Sequence, residues 1–262
     1  MNLPVCCVIG AFALALVGSA AGNDTVKAGA QSDEFGPAFF QDCAFVCVDL
    51  QEIPRTHMKP ENVPKEWKKR GFTAEDCNAA TDYLFETATP NAVVVADACR
   101  ARKLPMIFVH WGYLCEDGMD LDPMTRQHFL QDMGPDPKKW PHHISDPTSR
   151  PAEILKVRKG EYVVAKSGQD AFNSSRIEFI LKNLGIKNII FVGGHTQGCL
   201  FRTASSAKRL GFNTLCVEDA TWNARESTRK TGIDASGFTY VVTTKELVSL
   251  LGCEHDTGPS DE

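Results

Sequence analysis

The chain has 262 residues, 43% of them hydrophobic and 23% charged, with 20 Gly and 14 Pro. This composition excludes intrinsic disorder, collagen-like repeats and coiled coil, and the length is enough to bury a sizeable core. Lys and Arg number 28 against 33 Asp and Glu, a formal charge of -5 without basic clusters, which argues against a nucleic-acid partner.

Residues 1–22 carry no charged side chain, and an apolar run from Val8 to Val17 is followed by the small residues Gly18 to Gly22. Such a segment reads as a secretory signal peptide and implies a secreted or periplasmic protein, the alternative being an uncleaved anchor. Residues 23–41 read as a flexible leader, and 253–262 as a polar tail. Beyond the signal segment stand Cys43, Cys47, Cys77, Cys99, Cys115, Cys199, Cys216 and Cys253. No C-x-x-C pair occurs among them, which disfavours a zinc site or a thioredoxin-like motif. Some of these are expected to be buried thiols.

Residues 43–49 form an apolar run of strand length ending in Asp49. The interrupted basic stretches 65–70 and 225–230 read as solvated helix faces. Thr73, three residues before Asp76, starts a helix running to about Thr89, and Pro90 suits the first turn of a second helix over 91–103. A strand follows over 105–111. Between 112 and 160 the periodicity dissolves; this stretch holds six of the 14 prolines, and an insertion of such length is commonly a functional lid. Tyr162 to Ala165 is a short strand, and Ser175 with Glu178 reads as a capping box opening a helix to Leu184. Then come a strand over 187–193, a helix over 198–210, strands over 212–217 and 238–242, and a helix from the Thr243/Glu246 cap to Leu251. This alternation predicts an α/β fold: one doubly wound domain over 42–252, its mostly parallel sheet covered by helices on both faces.

In such a sheet the chemistry gathers at the carboxyl ends of the strands. Three ends carry reactive groups: Asp49, Lys166, and the turn Gly193-Gly-His-Thr-Gln-Gly-Cys199 at the start of a helix. A helix N-terminus offers free N–H groups and a partial positive charge, which lower a cysteine pKa and can hold an oxyanion. A neighbouring carboxylate can take the thiol proton.

These segments resemble the isochorismatase-like cysteine hydrolases, a family that includes nicotinamidases, N-carbamoylsarcosine amidases and ureidoacrylate hydrolases. The likeness rests on Val48-Asp-Leu-Gln51, Lys166-Ser-Gly-Gln-Asp-Ala-Phe172, the turn Gly193 to Cys199 with Thr203-Ala204 beyond it, and Val217-Glu-Asp-Ala-Thr221. It implies a catalytic set of Asp49, Lys166 and Cys199. It also implies a non-proline cis peptide at Gly194–His195, with Gly194, His195 and Cys199 shaping the oxyanion site. Gln51, His110, Trp111 and Gln197 are candidate substrate contacts; His110 and Trp111 are equally consistent with core packing, and His195 with facing solvent.

The resemblance departs where nicotinamidases place metal ligands: the chain has Val109-His-Trp-Gly-Tyr113 there, and His142 and His143 are adjacent in a Pro-rich loop. No metal and no other cofactor is therefore expected. The implied reaction is cleavage of a C–N bond in a small amide or ureido molecule through a covalent Cys199 adduct, by a homo-oligomer. Two alternatives stay open: vinyl ether hydrolysis of the isochorismatase type, and a catalytically silent exported binding protein on the same fold.

Overall fold

The computed structural model describes residues 37–63, 65–69 and 71–252. The expected signal segment, most of the leader, and the tail with Cys253 lie outside the described residues.

Strands β1 (Cys43–Val48) and β2 (Met106–Trp111) are buried along their whole length. They form one sheet with β3 (Tyr162–Lys166), β4 (Asn188–Gly194), β5 (Asn213–Trp222) and β6 (Tyr240–Val242), in the order β3-β2-β1-β4-β5-β6. Every described pairing is parallel. Continuous apolar runs such as Cys43-Ala-Phe-Val-Cys-Val48 fit this arrangement because both faces of the strand are covered. Side chains alternate between the faces: Phe45, Cys47, Phe108 and Leu215 join one core cluster, while Ala44, Val46, Val48 and Ile107 join the other. The order reverses between β1 and β4, which is where such sheets leave a crevice for ligands.

The helices are α1 (Lys65–Lys69), α2 (Ala74–Tyr83), α3 (Thr89–Ala101), α4 (Pro123–Asp132), α5 (Ala171–Ser174), α6 (Ile177–Asn183), α7 (Cys199–Arg209), α8 (Arg229–Ser236) and α9 (Thr244–Leu250). Thr73 caps α2 by accepting from the Asp76 N–H at 3.1 Å, and the Thr243/Glu246 capping box opens α9.

Several elements differ from the sequence reading. Helices α2 and α3 are not separated at Pro90: a π-helical turn, Leu84–Ala88, joins them, and Pro90 sits in the first turn of α3, where its missing N–H is tolerated. The insertion contains α4, capped by Asp122. Arg176 rather than Ser175 takes the N-cap position of α6, although Ser175 Oγ accepts from the Ile177 N–H at 3.2 Å. The Ser175 hydroxyl donates to the Ala171 carbonyl at 2.6 Å, because the short α5, capped by Asp170, precedes it. The end of the leader is folded rather than flexible, with Phe39 buried against Tyr240 and its carbonyl accepting from Asn188 Nδ2 at 2.7 Å. Lys65, Lys68 and Lys69 of α1 are exposed, as a solvated face requires, whereas the 225–230 stretch is less solvated than expected. Trp67 of α1 is buried, the Arg225 guanidinium lies 4.1 Å from the Phe72 ring centroid, and that of Arg229 lies 4.5 Å from Tyr83. Long basic side chains pack their stems and planes over apolar neighbours in this way.

Candidate active site

Register places the three strand-end groups side by side. Val48 pairs with both Val109 and Gly193, and Trp111 pairs with Lys166. Asp49 directly follows β1, its N–H donating to the Val109 carbonyl at 2.9 Å. Its φ of 51° is a left-handed conformation that Asp adopts more readily than most residues. The Lys166 Nζ lies 2.8 Å from Asp49 Oδ2 and donates to the Gly168 carbonyl at 3.1 Å. Cys199 is the first residue of α7, with its thiol within reach of both groups. Asp49, Lys166 and Cys199 are 2%, 0% and 1% exposed, so the constellation works in a dry environment.

Burial governs the protonation states. It pushes the Cys199 thiol up to about 12; Lys166 lowers it, but not enough to offset desolvation, which Asp49 reinforces. The resting sulfur is therefore a thiol, contrary to the thiolate that the helix N-terminus alone would favour. Burial alone would lower the Lys166 pKa, but the ion pair with Asp49 leads the effects that offset it and the net direction is upward, so the ammonium keeps its proton.

The turn before Cys199 depends on glycine at two positions of close approach. A Cβ on Gly193, where φ is 102°, would stand 2.0 Å from the Val48 carbonyl oxygen, and one on Gly194 would stand 2.5 Å from Trp222 Nε1. The peptide Gly194–His195 is cis. Within the turn the N–H groups of Gly198 and Leu200 both donate to the His195 carbonyl, Thr196 N–H donates to Trp222 O, and Gln197 N–H to Asn223 Oδ1. The Cys199 N–H stands at the first residue of α7, where backbone N–H groups lack an intrahelical acceptor.

The remaining candidates take different places. His195 is buried, packed edge-on to Trp222 at 4.3 Å, and held neutral with its pKa lowered to about 3 by burial and by Lys166. It does not face solvent. His110 is buried near Asp49, with its pKa lowered by desolvation. Trp111 lies in the core, packed edge-on to Phe129 and His142. Gln51 spends its amide on the backbone: Nε2 donates to Trp111 O at 3.0 Å and Thr148 O at 2.8 Å, and Oε1 accepts from Trp111 N at 2.8 Å. It is a strut tying β1 to the insertion. The Gln197 Oε1 accepts from Asn223 Nδ2 at 3.1 Å.

Sequence reasoning missed Trp222 and Asn223, which follow the Val217–Thr221 motif and brace the catalytic turn. It also missed Ser149, which carries no local signal. The buried atoms His110 Nδ1, His142 Nε2, Ser149 Oγ, His195 Nε2 and Trp222 Nε1 have no hydrogen-bond partner among the described residues. A protein metal site needs three or four convergent ligands, and no group of three or more His, Cys, Asp or Glu is so placed among the described residues. The metal site of nicotinamidases does not fit these residues.

Comparison with known proteins adds to this geometry. A family model described as the isochorismatase domain matches residues 43–246. Nicotinamidase 3 of Arabidopsis thaliana is 27% identical over 176 residues, which is 62% of this chain and 79% of that protein. The crystal structure of a cysteine hydrolase from Pseudomonas syringae pv. phaseolicola superposes with a TM-score of 0.61 at 17% identity, covering 80% of this chain and 92% of its own. That of N-carbamoylsarcosine amidase from Thermoplasma acidophilum gives 0.53 at 20% identity, covering 78% and 97%. The last two likenesses are of fold.

Proposed function

The chain belongs to the isochorismatase-like cysteine hydrolase family, and from that premise we propose that it is an exported amidohydrolase acting on a small amide or ureide. The observation that carries this reading is the fully buried Lys166–Asp49 ion pair, 2.8 Å long, beside a thiol at a helix N-terminus.

The chemistry follows from the protonation states. Asp49 takes the Cys199 proton as the sulfur attacks the substrate carbonyl carbon, so a C–S bond forms without a free thiolate at rest. The Cys199 N–H, in the turn shaped by Gly194 and His195, donates to the oxyanion. Asp49 then returns the proton to the leaving nitrogen, the C–N bond breaks, and ammonia or an amine departs. Water, deprotonated by Asp49, attacks the thioester; the C–S bond breaks, the acid leaves, and the sulfur regains its proton. Lys166 stays an ammonium throughout and offsets the negative charge that moves between carboxylate, sulfur and oxygen. Neutral His195 adds no second positive charge to the site.

The test is a screen of small amides and ureides with the wild type, Cys199→Ala and Asp49→Asn. Loss of turnover by about a thousandfold or more is expected for Cys199→Ala, the scale seen when a covalent nucleophile is removed. A Cys199→Ala protein retaining about a tenth of wild-type activity points instead to non-covalent, vinyl-ether-type hydrolysis. We further propose export through residues 1–22 and assembly as a homo-oligomer, in line with the apolar N-terminal segment and the resemblance to the family.

A further inference from the structure

Next to Asp49 opens a cleft of about 210 Å³ lined by Asp49, Leu50, Ile53, Leu84, Phe85 and Ile154, among others. Its walls are mainly aliphatic and aromatic. Leu84 and Phe85 come from the π-helical turn that joins α2 to α3, and such turns are frequent at functional sites. Ile154, on the insertion, is 51% exposed although nothing in its chemistry favours water. Glu52 and Glu153 also line it. Glu52 Oε2 accepts from the Glu153 N–H at 2.7 Å, which holds the two residues together.

No lysine or arginine lines the cleft. Two cations near the lining are already matched: Lys166 pairs with Asp49, and Arg55, whose guanidinium lies 5.9 Å from the Phe85 ring centroid, pairs with Asp82 and Glu86. A carboxylate entering here would meet three carboxylates of the lining, Asp49, Glu52 and Glu153, and no cation of the lining. An apolar group would replace water against Leu50, Ile53, Leu84, Phe85 and Ile154. At ~30 Å³ per water-sized group, the volume holds about seven such groups, the size of a short acyl chain.

We infer that this cleft is the acyl-side subsite and that it selects uncharged amides carrying a short apolar chain against amides carrying a carboxylate. This deepens the amidohydrolase reading and rests on it. It names a substrate class that neither the motif residues nor the fold specifies.

The experiment compares hexanamide with adipamate, which has the same chain ending in a carboxylate, using the full chain. Each is assayed with wild type, Ile154→Asp and the pair Glu52→Gln/Glu153→Gln, all substitutions at exposed positions. Hexanamide is expected to exceed adipamate in kcat/KM by about tenfold or more, the order expected of uncompensated like charge. The glutamine pair should narrow that ratio, and Ile154→Asp should raise KM for hexanamide more than it changes kcat. Equal or better use of adipamate, or a ratio unmoved in the glutamine pair, overturns the inference. If wild type turns over neither, the amidohydrolase reading is in difficulty while the cleft is still decided by calorimetric titration. Hexanamide binding that is weakened by Ile154→Asp and exceeds adipamate binding supports the subsite; no hexanamide binding overturns it.

Discussion

Replacing Lys166 by Met tests whether the ion pair at the centre of the site is a single electrostatic unit. At 2.8 Å and an effective dielectric of about 20, the two unit charges attract by roughly 6 kcal/mol. Desolvation of both groups offsets much of that, so the net value of the pair is small. Removing one partner is different, because it strands a charge in a site where Lys166 is 0% and Asp49 2% exposed; breaking a buried pair costs about 3–5 kcal/mol. For a chain of this size each kcal/mol moves Tm by about 2–4 °C, so Lys166→Met should lower Tm by roughly 6–20 °C. The second arm is Asp49→Asn/Lys166→Met. Asn is the right partner substitution because the φ of 51° at this position suits Asn and Asp. With both charges gone the double variant should recover about half or more of the lost stability. The assay is thermal unfolding of wild type, both single variants and the double variant at one pH. A double variant destabilised by the sum of the two singles would refute the reasoning, since independent sites add and coupled ones do not.

Three further outcomes are expected. Iodoacetamide at pH 7.5 should label exposed Cys115 before Cys199, although Asp120 raises the Cys115 pKa, because the Cys199 thiol is buried and pushed up to about 12; peptide mass mapping that finds Cys199 labelled first would contradict the protonation assigned to it. His142 and His195 have folded pKa values lowered to about 4 and about 3, by burial first. Their neutral forms therefore support the fold fully above about pH 6.5, and that support is lost as pH falls toward the folded values; urea titrations at pH 7.5 and 5.0 should differ by about 2 kcal/mol for each, and His142→Asn should remove its share. N-terminal sequencing of exported protein should find a start between Ala20 and Asn23, whereas an intact Met1 on membrane-bound protein would identify an anchor.

Much of the fold was legible because buried parallel strands have to be apolar on both sides. Residues 43–48 and 189–192 show that pattern without interruption, and the Thr243/Glu246 box announces α9 by side-chain chemistry alone. Elements stayed hidden where local cues conflict with tertiary ones. Pro90 reads as a boundary, yet the π turn before it lets α2 run into α3. Helix α4 lies among prolines and acidic residues and has only a weak apolar face, so its Asp122 cap went unread within a stretch without periodicity. Arg225 and Arg229 look solvated in a charge count, but each lies over an aromatic ring supplied from more than a hundred residues away in sequence.

The site divides along the same line. Asp49, Lys166 and Cys199 can be located because strand ends and a helix start are local features, and the β-sheet register then brings them together. Gln51 and Gln197 looked like ligand contacts because an amide's chemistry states only what it can bond. What satisfies it is a matter of packing: Gln51 has both amide hydrogens committed to backbone carbonyls, so substrate contact through those donors would require breaking bonds that hold the insertion to β1. The thiol shows the same limit in its charge. A helix N-terminus favours thiolate, and that much is readable from Gly198-Cys199; but complete burial outweighs it, and burial depends on residues from β1, β3 and the insertion together. In the proposed mechanism Cys199 is therefore a nucleophile whose proton Asp49 moves during attack, which assigns Asp49 the part of general base as well as counter-ion to Lys166.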